Sequence, residues 1–95
     1  MSTASCVVRD YYHGSTHVQI DNCPGNGAQS WAWIWTGSDN QFATVYLNVY
    51  DRYPFWVTAQ RNSAASKNLP ADINTVQICN YPTISQEKCG RINFI

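Results

Sequence analysis

The stretch CVVRDYYHGSTHVQIDNC, residues 6–23, decides how the chain begins to fold. Gly14 and Ser15 lie near its centre, and a glycine at the first central position is typical of a two-residue type II′ hairpin turn. An antiparallel ladder that starts at this turn continues until Cys6 faces Cys23. Hydrogen-bonded and non-hydrogen-bonded pairs alternate along such a ladder, and the two cysteines fall on a non-hydrogen-bonded pair, where the Cα atoms are closest. The sequence therefore predicts a hairpin closed by a Cys6–Cys23 disulfide.

The other two cysteines, Cys79 and Cys89, are predicted to form a second disulfide that closes a short loop. The runs on either side of that loop, residues 75–79 and 89–94, then pair as antiparallel strands. Each bridge stabilises the fold by about 3 kcal/mol, because it restricts the unfolded chain. Disulfides persist in secreted proteins. We therefore expect a secreted protein whose secretory leader has been removed ahead of the small polar residues that follow Met1.

Composition predicts one β-rich domain over residues 1–95. Aromatic residues make up 14% of the chain, with four Trp and six Tyr, while Glu and Lys are scarce. This composition favours sheets over helices. Beyond the first hairpin, strands are expected at residues 30–36, 42–50, 55–60, 75–80 and 91–95. The prediction is an antiparallel sheet or a small β-sandwich of about six or seven short strands. The alternative is a compact α+β fold with a short helix around residues 61–74.

Charge argues against several classes of partner. Six Lys and Arg balance six Asp and Glu, so no strongly basic face is expected to bind nucleic acid. No apolar run is long enough to predict a membrane span. The cysteines lack the paired spacing of a structural zinc site, and His13 and His17 point to opposite faces of the hairpin. We expect neither a metal nor a cofactor.

The most unusual segment is WAWIW, residues 31–35, in which three Trp side chains point to one face of a strand, about 7 Å apart. A row of indoles suits the apolar faces of sugar rings, and nearby hydroxyl and amide groups would orient a sugar through hydrogen bonds. In the competing interpretation the three rings face inward and fill the core. The candidate ligand-binding residues are Trp31, Trp33, Trp35, Tyr46, Asn48 and Tyr50, the last three on a strand expected beside the row.

Residues 51–56, DRYPFW, form a second concentration of side chains that are common in binding hot spots. Pro54 favours a loop here, which would expose the segment at the end of the sheet. In the competing interpretation the aromatic residues of this loop pack into the core. The candidate partner-binding residues are Arg52, Tyr53, Phe55 and Trp56.

These features favour a small secreted lectin-like protein that binds a glycan or glycoprotein through a neutral surface rich in aromatic residues and Asn. The alternative is a secreted interaction factor (an effector, toxin or hydrolase inhibitor) that presents the loop at residues 51–56 to a host protein or a hydrolase. We do not expect an enzyme: Asp10 and His17 can touch as diagonal neighbours, but an Asp–His pair is more often a surface contact than a catalytic one. The C-terminal run, residues 91–95, is a candidate edge for a homodimer.

Overall fold

In the computed structural model, which describes residues 7–25, 27–49 and 54–95, the first hairpin forms in the predicted register. His13 pairs with Thr16 across the turn, and the ladder continues to the pair formed by Val8 and Asp21. Gly14 adopts φ 60°, a value that glycine reaches without the steric cost that other residues incur. The predicted Cys6–Cys23 bridge includes Cys6, which lies outside the described residues.

The described residues form nine antiparallel strands and no helix. In chain order these are β1 (Val8–His13), β2 (Thr16–Asp21), β3 (Ser30–Thr36), β4 (Phe42–Val49), β5 (Phe55–Gln60), β6 (Ser63–Leu69), β7 (Ile73–Tyr81), β8 (Lys88–Cys89) and β9 (Asn93–Phe94). A four-stranded sheet has the order β1-β2-β3-β6. A five-stranded sheet has the order β5-β4-β7-β8, with β9 also paired to β7. The prediction of an all-β fold is confirmed. Strand β6 and the division of the predicted C-terminal strand into β8 and β9 raise the strand number above the expected six or seven.

The core lies between the two sheets and comes mainly from alternate residues of β2, β3, β4, β5 and β7. Val18, Ile20, Ala32 and Ile34 of the four-stranded sheet are fully buried. From the five-stranded sheet, β4 contributes the apolar row that its alternation predicts, which is Ala43, Val45, Leu47 and Val49. Burial of these rows provides the main stabilisation, at roughly 25 cal/mol for each Å² of apolar surface removed from water.

The alternative α+β fold, with a helix around residues 61–74, is wrong, because residues 63–69 form strand β6. This strand is rich in Ala, Ser, Lys and Asn, which have little intrinsic preference for a sheet. A tight turn at Asn62, with φ 54°, instead reverses the chain at the end of β5. The turn brings β6 to the open edge of β3, where seven residues pair from Ser63 opposite Thr36 to Leu69 opposite Ser30. Unpaired backbone groups at that edge outweigh the weak local preference.

Buried polar side chains at the ends of β2 and β3 tie the two sheets together. The Thr16 hydroxyl donates to Asn80 Oδ1 at 2.6 Å. At the other end of β2, the side chain of Asn22 both donates to the Ile73 carbonyl oxygen and accepts from the Ile73 N–H. At the ends of β3, the Thr36 hydroxyl donates to the Ala59 carbonyl oxygen of β5, and the Ser30 hydroxyl donates to the Ala71 carbonyl oxygen in the link between β6 and β7. These bonds satisfy polar groups that would otherwise be costly to bury.

The C-terminal region is fixed by the predicted Cys79–Cys89 disulfide, whose sulfur atoms are 2.01 Å apart. Cys79 and Cys89 are direct partners in the β7–β8 ladder, and the antiparallel pairing predicted for the flanking runs is confirmed. The single strand expected over residues 91–95 is instead the short β9, whose Phe94 pairs with Thr75. Within the described residues, no helix of a length and hydrophobicity that could cross a membrane is found.

Candidate functional site

Strand β3 points its three indoles away from the core. Ala32 and Ile34 on the inner side of the strand are fully buried. Trp31 and Trp33 are half-buried on the outer side, and 36% of Trp35 is exposed. The core is therefore complete without the three indoles, and the interpretation that they fill it does not match the structure. We call the outer surface of the four-stranded sheet around Trp31, Trp33 and Trp35 the indole face.

The side chains that border the indoles differ between the two flanks. On β2, His17 pairs with Trp35, Gln19 with Trp33 and Asp21 with Trp31. On the opposite flank, β6 places Ala64, Ser66 and Asn68 beside the same three rings. Directly opposed Cβ atoms lie about 5 Å apart, so the short side chains of Ala64 and Ser66 cannot cover an indole. Each of the rings of Trp33 and Trp35 therefore has one polar flank and one open flank.

An aromatic and hydrogen-bonded cluster fixes the polar flank. The His17 ring stacks on Tyr12 at 4.4 Å between centroids and meets the edge of Trp33 at 5.1 Å. Asp10 Oδ1 lies 2.8 Å from His17 Nε2 and accepts a second hydrogen bond from Gln19 Nε2 at 3.2 Å. The hydrogen bond from His17 lowers the pKa of Asp10 and outweighs the effect of partial burial, which raises it. Asp10 is thus held as a carboxylate beside the indoles.

The cluster can accept and donate hydrogen bonds to a bound molecule. Among the described residues, no partner contacts Asp10 Oδ2, which leaves one carboxylate oxygen able to accept from a hydroxyl group. Asp21 Oδ1 accepts from the Cys23 N–H at 2.7 Å, which orients that side chain at the far end of the row. The indole face therefore combines flat apolar surface with fixed polar groups.

The contact predicted between Asp10 and His17 is confirmed. Among the described residues, no Ser, Thr or Cys side chain hydrogen-bonds to the His17 ring. A triad-like arrangement requires a nucleophile within hydrogen-bond reach of the base. What the geometry does supply is a positioned polar group beside an aromatic surface.

Strand β4, which was expected beside the Trp row, is not a neighbour of β3. The hydrogen-bonded neighbours of β3 are β2 and β6, and β4 lies in the other sheet. Tyr46 and Asn48 project from the outer side of the five-stranded sheet, across the core from the indole face. The structure therefore does not bring them together with Trp31, Trp33 and Trp35. Tyr50 lies outside the described residues.

A second aromatic surface covers the outer side of the five-stranded sheet. Trp56 is 59% exposed and pairs with Tyr46 across the β4–β5 ladder. The Tyr46 hydroxyl lies 3.4 Å from that of Tyr81, which donates a hydrogen bond to Glu87. That bond to a carboxylate raises the pKa of Tyr81, so its hydroxyl stays protonated.

The described residues include only part of the candidate partner-binding segment, residues 54–56. Arg52 and Tyr53 lie outside the described residues. Phe55 is half-buried against the core, with the Lys67 amine 5.6 Å from its ring centroid, while Trp56 points outward. The two described anchors of this segment therefore do not share one exposed surface.

The sulfur atoms of Cys79 and Cys89 and a carboxylate oxygen of Glu87 lie within 4.8 Å of one another, a spacing that a metal site could also have. The two sulfurs are bonded to each other in the disulfide, so they are not thiolate ligands. His13 and His17 project to opposite sides of the hairpin, as their spacing predicts.

Tyr12 and Gln19 belong to the site but were not among the sequence-based candidates. Alternation already places both on the same side of the hairpin as Asp10 and His17, and the missing information was that this side continues into the Trp row.

No protein family, curated protein or solved structure matches the chain.

Proposed function

We propose that the protein is a secreted, lectin-like glycan-binding protein that holds an extended, neutral polysaccharide chain on the indole face. The observation that carries the proposal is that three tryptophans on one strand point outward while the core is complete without them. Exposed aromatic surface is costly in water, and binding a ligand with apolar faces removes that cost.

The shape of the face favours a polymer over a single sugar. Alternate residues of a strand lie about 7 Å apart, so the three indoles extend over roughly 14 Å. Three cavities, of about 390, 340 and 240 Å³, are lined by residues other than the three tryptophans. An open row without walls can stack several sugar units in succession but encloses none of them.

The polar flank supports recognition of hydroxyl groups. Asp10, Gln19 and His17 offer acceptors and donors beside Trp33, and their mutual hydrogen bonds hold them in place before a ligand arrives. Prearranged groups lose little conformational freedom on binding. Asp10 and Asp21 are acidic, and the described outer residues of this sheet include no Lys or Arg, so anionic polysaccharides are disfavoured. The Cys79–Cys89 disulfide is in keeping with an extracellular setting.

The test is depletion of the protein from solution by insoluble neutral polysaccharides such as cellulose, chitin and β-1,3-glucan. Trp33→Ala should remain in the supernatant. Trp56→Ala removes an indole from the other sheet and should be depleted like the wild type. Circular dichroism confirms that both variants are folded. Retention of Trp33→Ala on the solid, or failure of the wild type to bind any of the three, contradicts the proposal.

One observation favours a second candidate function, that of a protein-interaction factor. Trp56, at 59% exposure, and Tyr46 form an aromatic surface on the five-stranded sheet, and such residues dominate protein-binding hot spots. Under this alternative, Trp56→Ala abolishes association with a partner protein and Trp33→Ala does not. The same two variants therefore distinguish the candidates.

A further inference from the structure

A cavity of about 390 Å³ opens where the edge of the four-stranded sheet meets the C-terminal region. Tyr11, Tyr12 and His13 of β1 form one wall. The opposite wall consists of Gly90 and Arg91, in the link between β8 and β9, and of Asn93. Ile78 of β7 lies against this wall. This volume is within the range of small-molecule sites.

The polar side chains that line the cavity are rich in donors. Arg91 carries a guanidinium with five N–H donors and makes no ion pair with any described residue. Within the same part of the chain, neither the Tyr11 hydroxyl nor the His13 ring has a hydrogen-bond partner. Burial raises the pKa of Tyr11, so its hydroxyl keeps the proton that it can donate. None of the lining residues is acidic.

The wall that carries Arg91 is firmly attached to β7. The N–H of Gly90 donates to the Ile78 carbonyl oxygen at 2.8 Å, and Gln77 Nε2 donates to the Gly90 carbonyl oxygen at 3.1 Å. Cys89, the preceding residue, is bonded to Cys79. The base of the Arg91 side chain is therefore fixed beside the cavity.

Gly90 also determines how closely the two walls approach. A Cβ atom at position 90 would lie 3.0 Å from His13 Nδ1 and 3.3 Å from two carbon atoms of the ring. These distances are tighter than most real Cβ contacts, so the ring would have to shift by a few tenths of an ångström to accommodate a side chain. The absence of a side chain at Gly90 therefore lets the imidazole lie against the link that carries Arg91.

We propose that this cavity binds a compact organic anion, a carboxylate or phosphate group attached to a small molecule. Arg91 provides the positive charge, and guanidinium groups bind both kinds of anion in a bidentate manner. Tyr11 and His13 provide further donors, and Ile78 and the tyrosine rings contact the apolar part of the ligand. Tyr12 lines this cavity and also stacks on His17 of the indole face, whereas Arg91, Tyr11 and His13, which provide the donors for the anion, do not border the indoles.

The test is a titration followed by two-dimensional NMR of backbone amides, with inorganic phosphate, glucuronate and uncharged glucose as probes. We expect saturable shifts at Gly90, Arg91 and Tyr11 with at least one of the anions and none with glucose. Saturable shifts with phosphate alone identify a phosphate site, and saturable shifts with glucuronate alone identify a carboxylate site. Saturable shifts with both probes identify a general anion site. Absence of saturable shifts at these residues with either anion overturns the proposal.

Two variants test the role of the charge. Arg91→Gln should weaken anion binding at least about tenfold, while Lys67→Gln removes one positive charge from β6 and should bind like the wild type. Equal weakening in both variants would show a response to net charge and would overturn the proposal. Tyr11→Phe keeps the ring and should weaken binding by a smaller factor. Unchanged affinity in both Arg91→Gln and Tyr11→Phe would also overturn it.

Discussion

The hydroxyl of Thr16, the first residue of β2, donates a 2.6 Å hydrogen bond to Asn80 Oδ1 on β7, and both side chains are buried between the sheets. Asn80 Nδ2 in turn donates to the carbonyl oxygen of His13, at the end of β1. One asparagine of the five-stranded sheet therefore holds both sides of the turn in the other sheet. This contact fixes the sheet that carries the indole face.

Thr16→Val tests this contact, because it preserves the shape of the side chain and leaves the buried Asn80 oxygen without a donor. We expect the free energy of unfolding to fall by about 1–3 kcal/mol, the usual cost of an unsatisfied buried polar group. Urea denaturation measures the change. Thr83→Val is the same substitution at an exposed position and should change stability by less than about 0.5 kcal/mol. Equal effects of the two substitutions would show that the Thr16–Asn80 bond adds nothing to stability.

Neighbouring residues of β3 should respond differently to truncation. Ile34 is fully buried, so Ile34→Ala should lower the free energy of unfolding by about 2–5 kcal/mol through lost burial and a new cavity. Trp33 lies on the outer side, so Trp33→Ala should cost clearly less than Ile34→Ala. Thermal or urea denaturation compares them. If Trp33→Ala proved the more costly substitution, the tryptophans would belong to the core.

The Asp10–His17 contact makes a prediction about pH. The hydrogen bond from His17 lowers the pKa of Asp10 in the folded protein. Its contribution to stability is present above the unfolded-state pKa of about 3.9 and is lost as the pH falls through the lower native value. NMR titration of the Asp10 carboxyl carbon should therefore show a midpoint below the ordinary one.

In His17→Ala that midpoint should rise toward the ordinary value. Gln19→Ala should raise it by less, because the hydrogen bond from Gln19 has the smaller effect on the pKa. A midpoint that does not move in His17→Ala would show that this contact does not hold Asp10 as a carboxylate.

Local signals in the sequence were sufficient to predict much of the fold. The turn glycine Gly14 sets the register of the first hairpin, and strict alternation identifies the buried side of β4. The strands predicted at residues 30–36 and 55–60 match β3 and β5 in both bounds. These features depend on residues close in sequence, so composition and spacing are enough to find them.

Pairings between strands that are distant in sequence could not be predicted from such local signals. Strand β6 has the composition of a loop or a helical turn, and it is a strand because the edge of β3 needs a partner. The neighbours of β3 decide which polar residues border the tryptophans. For that reason Tyr46 and Asn48 were predicted beside the row, where Gln19 and His17 lie instead.

We propose that the outward-facing indoles of β3 form the glycan-binding surface. Isothermal titration calorimetry can measure the affinity of the protein for a soluble neutral hexasaccharide. The hexasaccharide has the repeating unit of the polysaccharide that binds the protein in the depletion experiment. Loss of one stacking indole should weaken binding by at least about tenfold, or roughly 1.4 kcal/mol, in Trp33→Ala. Trp56→Ala should bind like the wild type. Wild-type affinity in Trp33→Ala, or equal weakening in both variants, would contradict the account.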